Sequence, residues 1–224
     1  MVGIYAGNQQ IKQISYGGTA INQVYHGSTL VWSVLPPGTV MAESSTADAT
    51  GSFTVEVPGT YRLTAVGGGG GVSVENSYKA ASGGGGGTAI ADFVLAAGDV
   101  ISWKVGKIGG AGANGLKGSS GGESYIKKGN TTLVSANGGV GGFVNNSSGG
   151  SGGTASIDAA GTNTTNQTGG NGAYKTGASS ASTAPVAGTS YYGTYGKGRS
   201  GYVISYNTPG WVAGTAGYIK VIYV

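Results

Sequence analysis

An all-β fold is predicted by two observations: short runs that alternate apolar and polar residues, and glycine tracts that separate them. No run of ten or more residues carries the spacing of an amphipathic helix. The expected architecture is a small N-terminal β-meander of ten-residue repeats plus a glycine-rich β-sandwich-like domain with ordered glycine loops or polyglycine II helices. The 224 residues allow one or two domains at roughly 100–200 residues each. "LPPGT" at 35–39 marks the break, because consecutive prolines stiffen the chain and cannot donate to a sheet ladder. Residues 1–35 and 36–224 are the two modules predicted.

Ile4, Ile14, Val24 and Val34 recur at intervals of ten, as do Gly7, Gly17 and Gly27. Each unit reads as a short strand closed by a glycine turn, and about four strands in a meander is the simplest outcome. Such a module is too small to hold a sizeable core alone. Beyond the break, Phe53, Val55 and Val57 share one face, and so do Tyr61, Leu63 and Ala65 after Pro58-Gly59. That pattern predicts a hairpin with one buried side. A second pair, 89–95 and 100–105, is expected around "AAGD", and a third, 123–127 and 131–136, around "KGN". The closing "GYIKVIYV" at 217–224 is expected to dock into a sheet.

Glycine supplies 49 residues, against roughly 7% in ordinary proteins. Charged residues make up 9%, which separates the chain from the usual highly charged disordered class. The net charge is +4, but the twelve cations are scattered along the sequence, so nucleic-acid binding is not expected. Cysteine is absent, which excludes disulfides and thiolate metal sites. The start "MVGIYAGNQQ" lacks the basic and apolar regions of a secretory signal. No stretch approaches the ~18 apolar residues of a membrane span. Synthesis in the cytoplasm, without membrane insertion, is therefore expected.

The glycine tracts expected to interrupt the strands are 67–71, 83–87, 106–122, 138–142, 149–153, 169–172 and 193–201. Flexible linker is one reading, since glycine-rich chains behave as coils. The stretch "GKIGGAGANGLKGSSGGE" supports another, with glycine at 106, 109, 112, 115, 118 and 121. Three residues per turn is the repeat of an extended left-handed helix. Glycine at every third place leaves one edge bare, so neighbouring helices can approach and exchange backbone hydrogen bonds.

The pieces "GTYRLTAVGGGGG", "SGGGGGTAIADFVLAAGDVISWKVGKIGG", "GGESYI" and "GTAGYIKVIYV" together resemble the glycine-rich domain of bacteriophage tail-fibre and receptor-binding proteins, over roughly residues 50–224. The N-terminal "YGGTAINQVYHGSTLVWS" looks like repeats found at the start of many virion proteins. The resemblance implies a virion protein, a tail-fibre adhesin that binds an outer-membrane protein or surface glycan during host attachment. Residues 1–35 would attach to other tail proteins, and a homotrimer is one expected assembly. The alternative is a structural or decoration protein of the virion without a receptor.

Catalysis has little support in the residues. His26 is the only histidine and sits at a turn; the eight carboxylates do not cluster, although Asp92 and Asp99 could face each other across a hairpin. The glycine runs lack the GK[ST] of a phosphate loop. No enzyme activity and no cofactor or metal are expected. Binding fits better. Tyr191, Tyr192, Tyr195, Lys197, Arg199 and Trp211 lie within 188–211, in the tyrosine, serine and glycine mixture that antibody loops use for contact. Tyr202 and Tyr206 of the same stretch are expected to alternate into the core. The insert 72–82, with Asn76, Tyr78 and Lys79, is a second candidate loop, and the polar stretch 158–182 a third.

Overall fold

The computed structural model describes residues 5–6, 9–10, 14–16, 19–21, 23–26, 29–33, 35–75, 78–176, 186–205 and 208–224. In the N-terminal part, β1 (Tyr5–Ala6) pairs with β2 (Gln9–Gln10), β3 (Ile14–Tyr16) with β4 (Thr19–Ile21), and β5 (Gln23–His26) with β6 (Thr29–Ser33). Each ten-residue repeat thus folds back on itself as a hairpin. No ladder joins the hairpins among the described residues, in contrast to the continuous meander expected.

The body contains β7 (Val40–Ser44), β8 (Thr50–Thr54), β9 (Gly59–Val66), β10 (Ser73–Glu75), β11 (Lys79–Ala81), β12 (Thr88–Leu95), β13 (Val100–Lys104) and β14 (Ser124–Lys128). It continues with β15 (Thr131–Ala136), β16 (Ala155–Ile157), β17 (Thr162–Gln167), β18 (Tyr174–Thr176), β19 (Ser200–Ser205), β20 (Thr208–Val212) and β21 (Tyr218–Tyr223). Two antiparallel sheets make a sandwich, ordered β17-β12-β9-β21-β7 and β16-β15-β14-β13-β8. Tyr61, Leu63, Phe93, Leu95, Ile101 and Ile126 fill its core with Val134, Ile219 and Val221. The third expected hairpin forms as β14–β15, and the last strand docks between β9 and β7.

The first two expected hairpins do not form. β8 pairs with β13, whereas β9 pairs with β12. The chain crosses from one sheet to the other through 55–58 and returns through 96–99. Val55 and Val57 are buried in the first crossing, so the alternating pattern runs on through it and hides the change of sheet.

Eight strands of the sandwich, β9, β12–β17 and β21, run into glycine segments at one end, where the segments stack as a second layer. There are ten such segments: I (67–71), II (82–87), III (106–112), IV (117–122), V (137–142), VI (149–154), VII (168–173), VIII (186–190), IX (196–199) and X (213–217). Their backbone bonds alternate with a period of three. In segment I, Gly67 and Gly70 donate to Gly87 and Gly84 of II, Gly68 and Gly71 to Gly122 and Ser119 of IV, and Gly69 to Thr215 of X, all at 2.8–3.1 Å. In segment II, Ser82 and Gly85 donate to VII, Gly83 and Gly86 to IX, and Gly84 and Gly87 to V.

That alternation is what a three-fold extended helix presents to partners on every side. The other eight segments close around I and II in the order V–IV–III–X–IX–VIII–VII–VI, each bonded to the next. Drawn as rows, the packing is VIII–IX–X over VII–II–I–III over VI–V–IV. The glycine tracts are polyglycine II helices in a hexagonal array. A Cβ on Gly68, Gly69 or Gly70 would run into the carbonyls of Lys107, Lys197 and Val140, so these positions admit no side chain.

Ser124 ties the two layers together. Its buried hydroxyl donates to the Val66 carbonyl at 2.6 Å and accepts from Gly106 N–H at 2.8 Å. Ser124→Ala strands both groups away from water and is expected to cost about 2 kcal/mol, read as a lowered urea midpoint with an unchanged slope. A midpoint equal to the parent's would show that the hydroxyl does not hold the junction.

Candidate functional site

Segments VIII, IX and X form the row furthest from the sheet of β14 and β15. The loop 191–195 joins VIII to IX, and the β19–β20 hairpin joins IX to X. The described residues of 188–211 therefore lie along one face of the glycine array and in the hairpin that extends from it. Ser190 Oγ donates to the Tyr195 carbonyl and fastens the loop. Gly196 and Gly198 turn their α-carbons towards segments I and II, where a Cβ would meet Gly67 and Gly83. Lys197, between them, is half-exposed.

The tyrosines divide into two roles. Tyr195 stacks on Tyr218 of β21, with centroids 4.3 Å apart and planes 3° from parallel. Tyr192 leans on the same ring at 5.5 Å. The Tyr218 hydroxyl donates to Glu43 at 2.5 Å, and Lys220 approaches Glu43 at 3.3 Å. The Tyr218 bond, and then Lys220, hold the Glu43 carboxyl below its ordinary range against a smaller opposing effect of burial. Burial, then Glu43, pushes the Tyr218 hydroxyl well above its own. Tyr195 is thus anchored to the sandwich, whereas Tyr191 is 64% exposed and Tyr192 37%.

Trp211, 47% exposed, stands opposite Gly201 at the base of the β19–β20 hairpin. It lies at the other end of the row from the tyrosine loop. Arg199 is half-buried: its backbone bridges Gly70 of segment I and Gly83 of segment II, and its Nε is buried without a hydrogen-bond partner. Tyr202 lies on β19, and Tyr206 lies outside the described residues.

The second candidate loop occupies the end away from the sandwich. Tyr78 is exposed with φ of 59°, and Lys79 pairs with Glu75 at 3.3 Å. Asn76 lies outside the described residues. From the third loop, 162–167 forms the exposed edge strand β17, 174–176 pairs with β11, and 177–185 lies outside the described residues. The structure gathers Tyr191, Tyr192, Lys197 and Trp211 on one side face and leaves Tyr78 and Lys79 on the far loops.

Asp92 and Asp99 do not face each other, because β12 and β13 belong to different sheets. Asp92 is buried and receives Arg62 in a two-pronged pair (2.7 and 2.9 Å) and Asn163 at 2.8 Å. Asp99 caps the 96–99 turn and pairs with Lys128 at 3.5 Å. His26 is exposed at the end of β5. Among the described residues, no three of His, Asp and Glu come together as metal ligands, and no helix is long and apolar enough to cross a membrane.

A family model described as a glycine-rich domain matches residues 46–220, spanning all ten glycine segments and most of both sheets. The chain belongs to the glycine-rich domain family. No curated protein matches it. Two parts of this glycine-rich domain escaped the sequence reading: segments VIII and X. "VAGTS" and "AGTAG" hold too few glycines to stand out, and it is backbone bonds, such as those to Gly83, Gly69 and Lys197, that place them in the array. Leu116, largely exposed on the loop between III and IV, and Val186, largely exposed at the start of VIII, were likewise missed, since isolated apolar residues give no signal in sequence.

Proposed function

We propose that this glycine-rich domain is the adhesive part of a bacteriophage virion, a non-enzymatic tail-fibre adhesin that binds a bacterial surface receptor. Residues 1–35 attach it to other tail proteins. One observation carries the reading: the glycine segments that hold the loops pack through backbone contacts, so exposed loop residues such as Tyr191 can change while the body stays fixed. Binding loops on a rigid scaffold are the arrangement recognition proteins favour. The resemblance of the strand and glycine-run order to tail-fibre tip proteins points the same way.

The test is adsorption of the purified chain to whole cells. Tyr191→Ala combined with Trp211→Ala is expected to weaken adsorption at least tenfold, about 1.4 kcal/mol, with the melting temperature unchanged. Tyr195 is left intact because its ring supports Tyr218. Undiminished adsorption by a folded double variant would remove this face from the binding site, and a parent chain that adsorbs to no host cell would refute the adhesive reading.

A further inference from the structure

We infer that the row VIII–IX–X is a binding face for an extended acidic polysaccharide chain, laid along the segment axis from Tyr191 and Tyr192 to Trp211. The inference rests on the adhesive reading above and names its receptor class.

Geometry comes first. Lys197 and Thr215 lie level, exchanging bonds at 2.8 Å between IX and X. Tyr195 stacks level with Tyr218, and Trp211 is level with Gly201. From 195 to 201 is six residues, roughly 19 Å at ~3.1 Å each. Between the rings the row holds the small residues Thr189, Ala213, Thr215 and Ala216 among glycines, with Lys197 and Arg199 half-exposed on IX and Val186 exposed at the start of VIII. Three hydrogen-bonded backbones at about 5 Å spacing make the face roughly 15 Å wide, or on the order of 300 Å². A protein partner of standard size covers about 800 Å² per side, which this face does not offer. A single sugar strand fits it, with rings stacked at each end.

Charge selects an acidic strand. The cations scattered in sequence are gathered in space: Lys79, Lys107, Lys117, Lys175, Lys197 and Arg199 lie on the glycine segments or the loops beyond them. Of the eight carboxylates Glu75 lies on these loops, while Glu43, Asp48 and Glu123 lie at the junction with the sandwich, where Glu43 is held by Tyr218 and Lys220 and Asp48 pairs with Lys104. Four of the five ion pairs among the described residues belong to the sandwich, the fifth being Lys79–Glu75. Among the described residues, no carboxylate lies within ion-pair distance of Lys197. A surface with an excess of cations draws a repeating polyanion, an attraction that salt screens. The backbone-locked face also loses little entropy on binding.

The test is affinity electrophoresis of the full chain through gels cast with dextran sulfate, neutral dextran or poly-L-glutamate. Dextran sulfate is expected to retard it in a salt-dependent way, neutral dextran not at all, and poly-L-glutamate at least tenfold more weakly. Lys197→Glu, at a half-exposed position of the row, and Ala213→Glu, at an exposed one, are each expected to weaken dextran sulfate binding at least tenfold. Lys127→Glu, the same charge change on the sandwich, is expected to shift it less than twofold. Equal losses in Lys127→Glu and Lys197→Glu, or equal binding of poly-L-glutamate, would overturn the inference. A chain that adsorbs to cells but ignores dextran sulfate would overturn it while leaving the adhesive reading intact. A chain that ignores both would overturn both.

Discussion

Gly70→Ala is expected to abolish cooperative folding or lower stability by at least ~4 kcal/mol, while Gly110→Ala stays within ~0.5 kcal/mol of the parent. Both are single methyl additions to glycine segments, so propensity alone predicts similar effects. The array separates them. Gly70 donates to Gly84 and accepts from Arg199, and its added Cβ would collide with the Val140 carbonyl. The colliding group is backbone held by its own bonds, so segment V would have to move, breaking its ladders to I, II and VI. Overpacking a side chain typically costs ~1–3 kcal/mol, and here lost hydrogen bonds add to it. Gly110 is exposed on segment III, and the nearest atom to its added Cβ is Ser119 Oγ at 3.4 Å. Alanine there also restricts the unfolded chain, which offsets any small strain. Urea denaturation of the two variants measures the contrast; equal losses would mean that the segments are not closely packed.

Asp92→Ala is expected to cost about 2–3 kcal/mol and to remove part of the acid sensitivity of the sandwich. A fully buried pair broken on one side costs roughly 3–5 kcal/mol. Arg62 is 43% exposed, so water partly replaces the lost partner and the figure falls. The hydrogen bonds from Arg62 hold the Asp92 carboxyl below its ordinary value of 3.8, with burial opposing and Asn163 assisting. The folded pKa therefore lies below the unfolded one. The pair stabilises fully above about 3.8, and its contribution is lost as pH falls through the lower folded value. Urea midpoints near neutrality and at about pH 3 check both points: the parent should lose more between them than Asp92→Ala. A variant with an undiminished acid limb would show that other carboxylates set it.

Much of the β layer was legible, because a buried face imposes period two and the strands carry it. Which strands pair was not. β8 and β9 look like a hairpin because Val55 and Val57 keep alternating through the crossing. Their actual partners, β13 and β12, lie across the glycine excursion that segments I and II begin and end. The glycine layer was legible in an inverted sense. The stretch 106–121, with its clean register of three, is not one helix: Asn114 and Gly115 take positive φ (53° and 79°) and turn the chain back. Segments III and IV then run antiparallel, bonded from Ser119 to Gly110 and from Gly122 to Lys107. The unbroken runs 67–71 and 83–87, which show no register, are the central helices. They lack one because segments surround them and every position must be bare. Peripheral segments keep two bare edges and one wet one, hence "GGVGG" in V and "GGSGG" in VI. Of the candidate site, the exposed aromatics were legible by residue type. The anchoring of Tyr195 on Tyr218 was not, since it depends on a contact between loop and last strand.

Amide hydrogen exchange tests the central claim most directly. An array of bonded glycine helices predicts that the amides of 67–71 and 82–87 exchange as slowly as those of β9 and β12. Within segment III, Gly109 and Gly112, which donate to Gly69 and Val72, should also be slow. Exchange of 67–71 and 82–87 at the rate of an unstructured peptide, with β9 and β12 still protected, would contradict the array and return these tracts to slack linker.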